Sequence, residues 1–169
     1  MAEEVWQQQT LEAVKQALVA YLPGKVPSFN PDGTYWATSD AYIDVKDCPA
    51  ISIADRGWTV IDTTCRSLDS QGNTVEGALS IRMVVEIQPW LKAGGSTNEP
   101  LLMSLREYTA GIEAVLESAY QLGDPQLVCR PHGGADYLTN SGGRNMWYGV
   151  AQIRADVDVF IRQGETALS

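Results

Sequence analysis

The side chains best able to bind a metal or take part in catalysis lie close together near position 130. The one histidine of the chain, His132, follows Cys129 by three residues and precedes Asp136 by four. Thiolate, imidazole and carboxylate groups are all zinc ligands, but a structural zinc site needs four of them, usually drawn from two clusters. Cys48 and Cys65 have no paired spacing that would supply the second cluster. The sequence therefore predicts no bound metal and places His132 in a loop beside a buried thiol.

Other catalytic patterns are equally incomplete. Ser141 lies in Asn-Ser-Gly-Gly, which is not the G-x-S-x-G turn that presents a nucleophilic serine, and no phosphate-binding glycine motif occurs. Asp156 and Asp158 share one face of a predicted strand, with Arg154 before them and Arg162 after them on the same face. That alternation of charge is typical of a solvated face or of a contact between subunits. We therefore predict that the protein is not an enzyme and has no cofactor.

Composition narrows the class of protein further. A length of 169 residues predicts one domain, spanning 1–169, and 44% apolar with 20% charged residues is ordinary for a folded chain. A net charge of −9 argues against a protein that coats nucleic acid, although DNA could still pass through an acidic channel as cargo. No membrane span and no secretory signal are expected, and three cysteines in no framework spacing predict free thiols in a reducing compartment.

The predicted elements belong to an α+β fold, with a mainly antiparallel β-sheet packed against two main helices. Apolar spacing predicts helices over 3–22 and 100–122, with Pro100 in the first turn of the second one. Two short strands are expected at 50–54 and 58–64 about a turn at Asp55–Gly57, and further strands at 77–90, 126–131 and 147–162. Two segments, 23–49 and 132–145, are rich in Gly, Pro, Asp and Asn and are predicted to be long loops.

The last strand is the feature that points to function. Residues 147–162 alternate between apolar and polar side chains, which predicts a half-buried strand. Sixteen residues at about 3.3 Å each would reach roughly 53 Å, more than the width of a compact domain of this length. The strand must bend, break at a bulge, or extend past its own domain and offer an unpaired edge to another copy. We favour the last alternative, and hence assembly rather than catalysis.

The order of the elements resembles that of the tailed-bacteriophage tail terminator and neck protein family. The matching parts are a first helix, a Pro-led strand at Pro49–Ile53 after a variable loop, a long strand at Leu79–Ile87, a helix at Pro100–Leu122, and a final strand at Trp147–Ile161. The resemblance is one of pattern along most of the chain, without a diagnostic motif.

The resemblance implies a virion protein assembled in the host cytoplasm. Members of that family form a ring, commonly of six subunits, that caps the tail tube and joins it to the head. The expected partners are then other copies of the same chain, the tail tube and the connector proteins, with no membrane. We expect subunit contacts at Tyr35, Trp36, Tyr137, Arg154, Asp156 and Asp158. A head-completion or connector protein remains an alternative, as does a small-ligand binding protein that uses a cleft beside the glycine-rich segment.

Overall fold

The fold is α+β, as the sequence predicts. The computed structural model describes residues 5–38, 43–68 and 71–169; for 64–68 and 74–77 only the backbone pairing is described. Two helices, α1 (Trp6–Tyr21) and α2 (Glu99–Ser118), pack on one face of a sheet of six strands. Neither helix is long and apolar enough to cross a membrane, within the described ranges.

The sheet is antiparallel throughout except at one edge. Its strands are β1 (Tyr35–Ala37), β2 (Ala50–Leu68), β3 (Thr74–Gly94), β4 (Leu127–Pro131), β5 (Asp136–Gly143) and β6 (Met146–Arg162). They lie in the order β1-β2-β3-β6-β4, and β5 also pairs with β6. Among the strands of the described residues, only the short β1–β2 pair is parallel. β2 and β3 form a long hairpin, and its pairing continues from Cys65–Ala78 to Leu68–Thr74, past the last residue of β6.

The main core lies between the helices and this sheet. Successive strand residues face opposite sides, so the apolar set of β6 (Ile153, Ala155, Val157, Val159, Ile161) shares the helix-facing side with Ile81, Met83, Val85 and Ile87 of β3. α2 contributes a buried stripe that includes Leu105, Ile112 and Leu116. Gly111 is the one glycine within α2. A Cβ added there would lie 2.5 Å from Cγ2 of Val26, so the glycine lets the segment after α1 pack closely on α2.

The predicted break between two short strands near position 56 is wrong. The segments 50–54 and 58–64 are not separate strands, because the turn expected at Asp55–Gly57 is a bulge within the continuous β2. Gly57 adopts a φ of 109°, and its N–H binds Oδ1 of Asp55 at 2.7 Å. A bulge uses the same residue types as a turn, so the local sequence does not separate the two.

The predicted loop at 132–145 is also wrong, because residues Asp136–Gly143 form β5. This strand has few apolar residues, and its hydrogen-bonded partner β6 defines it more than its own pattern does. Gly149 permits the close pairing, since a Cβ there would lie 2.3 Å from the carbonyl oxygen of Leu138. The other expected loop, 23–49, holds only β1 and 3-10 turns in its described part, and residues 39–42 lie outside that part.

Candidate assembly interface

A buried carboxylate organises the sheet face that is turned away from the helices. Glu86 of β3 is only 2% exposed. Its Oε2 accepts a hydrogen bond of 3.1 Å from Nε of Arg56 on β2, and its Oε1 accepts one of 3.0 Å from Nε of Arg154 on β6. Gln88 also donates to Oε2. One carboxylate therefore joins three adjacent strands next to the β2 bulge.

The electrostatic balance at Glu86 favours the charged form. Burial raises the pKa of its carboxyl, but the hydrogen bonds from Arg56, Arg154 and Gln88 together lower it by more, so the pKa lies below its ordinary value. Glu86 is therefore ionised at neutral pH, in keeping with a structural ion cluster. A general acid would require the opposite direction of shift.

The two predicted contact carboxylates of β6 are also bound within the chain. Oδ1 and Oδ2 of Asp158 accept from Nε of Arg82 at 3.0 Å and from Nη2 of Arg130 at 2.7 Å. Oδ1 of Asp156 lies 2.8 Å from Nε2 of His132. Because Arg154, Asp156 and Asp158 all have intrachain partners, their role as subunit contacts stays a prediction, and their demonstrated contacts cross-link β3, β4 and β6.

The cysteine and histidine near position 130 do not converge. Cys129 lies in the helix-side core opposite Val157, whereas His132 reaches Asp156 on the other face of the sheet. Burial raises the pKa of Cys129 to about 12, and burial likewise raises that of Cys48 to about 11, so both thiols are protonated at neutral pH. No metal-binding cluster of His, Cys, Asp and Glu occurs among the described residues, and the side chain of Cys65 lies outside them.

Two hollows in the surface bear on whether the chain could bind a small ligand. A pocket of about 240 Å³ lies between residues 132–136 and β6, where the sequence suggested a cleft, but it is smaller than the ~300–1,000 Å³ of typical ligand sites. Of its titratable lining residues, Glu86, His132 and Arg154 already have side-chain partners, which leaves only Asp136. The second hollow, of about 530 Å³, separates the end of α1 from the turn after α2, and Asp124 is the only acid or base among its lining residues. Neither hollow assembles a catalytic set.

The edge predicted to attract another copy is not on β6. β3 pairs with one side of β6 from Met146 to Arg162, while β4 and β5 share the other side. The expectation of an unpaired edge on the final strand is therefore wrong. The strand is long because it carries two shorter partners end to end, which a sequence pattern for one strand does not reveal.

The open edge belongs to β2. β1 covers it only from Ala50 to Ser52, and no other described strand pairs with its outer side. Residues 55–63 are exposed on both faces, including Trp58 (48%), Val60 and Ile61. A long edge strand with exposed apolar side chains is a site for adding a strand from another chain. We call residues 58–63 the arm edge.

The aromatic residues expected at an interface have mixed environments. Tyr35 is exposed, whereas Trp36 is half-buried against Phe29 and has Nζ of Lys15 5.8 Å from its ring centre. Tyr137 is half-buried on β5. Trp58, Val60, Ile61 and the exposed Leu138 were not among the contact residues predicted from the sequence. The run Trp-Thr-Val-Ile at 58–61 was the available signal, because it puts large apolar groups on both faces of a strand.

Searches against protein-family models and against curated proteins both found no match to this chain.

Proposed function

We propose that this protein is a non-enzymatic virion assembly protein, similar to a phage tail terminator, that associates with its own copies into a ring. The ring caps the tail tube and joins it to the head, and DNA passes through its channel only as cargo. The order of elements that resembles this family supports the proposal. Its expected partners beyond itself are the tube and the connector proteins.

The observation that carries the proposal is the arm edge. Trp58, Val60 and Ile61 are exposed on a strand whose outer backbone groups have no strand partner among the described residues. An apolar, unpaired edge is a liability in a monomer and becomes useful once another chain covers it. The ion pairs at Glu86 and Asp158 hold the sheet behind this edge in one shape, as an assembly surface needs.

The first test is the mass of the purified protein in solution. Light scattering after size exclusion should give a multiple of the 18.4 kDa chain, and negative-stain images should show rings with a central hole. A monomer at every concentration tested, with no rings in the presence of isolated tail tubes, would refute the proposal. The virion role has its own test. Phage made without this gene should leave heads and tails separate, and adding the purified protein should join them.

A further inference from the structure

On the basis of the proposed function, we infer that the open edge of β2 in one copy, from Ile53 to the start of the arm edge at Trp58 and Thr59, pairs antiparallel with the outer edge of β5 in the next copy. The sheet then continues from subunit to subunit around the ring. The pairing is head to tail, since each copy uses a different strand on each side. Such heterologous contacts close into rings, whereas contact between identical edges gives only a twofold dimer.

The state of the other edges selects β5 as the partner. Along β4, the outward N–H of Leu127 binds the carbonyl of Asp124 at 3.0 Å, and that of Cys129 binds the carbonyl of Tyr120 at 2.6 Å. Pro131, the next outward residue, has no N–H to donate. The outer edge of β4 is therefore closed to another strand. β1 has three residues, whereas β5 has eight and pairs with β6 alone.

Strand direction agrees with this choice. β2 is antiparallel to β3, β3 to β6, and β6 to β5, so β2 and β5 run in opposite directions within one subunit. When the next copy is added with the same orientation, its β5 meets the open edge of β2 as an antiparallel neighbour. The alternation of directions continues without a break, and antiparallel pairs are the commoner kind.

The geometry of a closed sheet indicates the register. Four strands at about 4.8 Å give each subunit a width of roughly 19 Å. A strand tilt of ~35–45°, as found in closed sheets, then requires a stagger of about four to six residues per subunit. Within one subunit Thr59 is opposite Arg82 of β3, which in turn is opposite Asp158 of β6. Asp136 is opposite Gln152, which lies six residues from Asp158 along β6. Pairing Thr59 with Asp136 corresponds to a stagger of about six residues, within this range. It places residues 136–142 of β5 opposite residues 53–59 of β2, just beyond the part that β1 covers.

Side chains match in this register. Trp58 and Tyr137 become opposite neighbours on the helix-facing side, where an aromatic cross-strand pair is favourable. Asp136 approaches the half-exposed guanidinium of Arg82, one strand beyond Thr59. Leu138, 56% exposed in the single chain, falls beside Gly57 and next to a hollow of about 480 Å³. That hollow is walled in part by Ile61 and Val84, so it offers apolar contact to the leucine.

Disulfide trapping tests the pair directly. In a Cys65→Ser background, Thr59→Cys with Asp136→Cys should give a ladder of covalent multimers on a non-reducing gel after mild oxidation of the rings. The remaining Cys48 and Cys129 are buried and should not interfere. Thr59→Cys alone should stay a monomer on the gel, and Thr59→Cys with Asn140→Cys should not cross-link.

Each alternative outcome has a distinct meaning. Rings that form without a Thr59–Asp136 cross-link would overturn the inference while the proposed function stands, whereas the absence of rings in the parent refutes the function itself. A covalent dimer from Thr59→Cys alone would indicate pairing of identical edges and would overturn the inference. A link through Asn140 would overturn the register.

A second pair of variants tests the edge without cysteine. Leu138→Lys should reduce the ring fraction at least tenfold, because an edge lysine blocks strand addition. Met103→Lys is the matched control, since Met103 is 63% exposed and belongs to α2 rather than to either paired strand, so rings should form normally. Circular dichroism should show both variants folded. Equal ring formation by the Leu138 variant would overturn the inference.

Discussion

Glu86 offers the sharpest test of how the sheet holds its shape. Glu86→Gln keeps the size of the side chain and removes its charge. A hydrogen bond to a charged group contributes about 1.5–3 kcal/mol and a neutral one about 0.5–1.5 kcal/mol, so each of the two arginine contacts should lose about 1 kcal/mol. The amide nitrogen of the new glutamine side chain also faces N–H donors, which lose their acceptor on that side. We expect the free energy of unfolding to fall by roughly 2–3 kcal/mol at neutral pH.

Solvent keeps this cost below that of a fully buried pair. The side chains of Arg56 and Arg154 are 28% and 55% exposed, so both can rehydrate when the carboxylate is neutralised. Removing one partner from a fully enclosed pair costs about 3–5 kcal/mol. For a domain of this length, the smaller loss corresponds to a decrease in Tm of roughly 5–10 °C.

The pH dependence gives an independent check. The folded-state pKa of Glu86 lies below its ordinary value of 4.5, so its contribution is fully present above about pH 4.5 and is lost as the pH falls through the folded-state pKa. The stabilities of parent and Glu86→Gln variant should therefore converge as the solution becomes acidic.

Urea unfolding, at a dilution where the parent is monomeric, is the assay. Glu165→Gln is the control, because Glu165 is exposed beyond β6 and its replacement should change stability by less than ~0.5 kcal/mol. An unchanged unfolding free energy for Glu86→Gln at neutral pH would refute the reasoning that this ion cluster stabilises the sheet.

Three further predictions concern the core, the strand pairing and the thiols. Val157→Asp should leave no folded protein by circular dichroism, because Val157 is fully buried and an unpaired charge there has no partner; a cooperative melt near that of the parent would contradict this. Gly149→Ala should lower Tm and speed hydrogen exchange in β5, because its Cβ would meet the backbone of Leu138 at 2.3 Å; unchanged exchange would show that the strand adapts. Alkylation under native conditions should spare Cys48 and Cys129, whereas alkylation in non-reducing denaturant should modify all three thiols, and fewer than three would indicate a disulfide.

Prediction from the sequence succeeded for those helices and strands whose apolar residues all lie on one buried side. Apolar spacing predicted both helices and the alternation of β6, because those patterns reflect burial on one side. It failed for β5, where pairing depends on Gly149 of another strand, and at Asp55–Gly57, where a bulge resembles a turn. The open edge was assigned to β6 instead of β2, since which strand lies outermost is a property of the whole sheet.

The ion cluster lies well inside the sheet, which has a mechanical consequence for the end of the β2–β3 hairpin. β6 supports β3 as far as Ala78, the partner of Cys65, so the paired hairpin extends past it only to Leu68. Three residues at about 3.3 Å give a projection of roughly 10 Å, so a rotation of about 5° at its base moves Leu68 by about 1 Å, a small part of the spacing between strands. Trp58 and Thr59 lie on the supported part of the hairpin and would not move with it. Any partner that touches the end of the hairpin therefore meets a short, stiff projection whose position the sheet itself fixes.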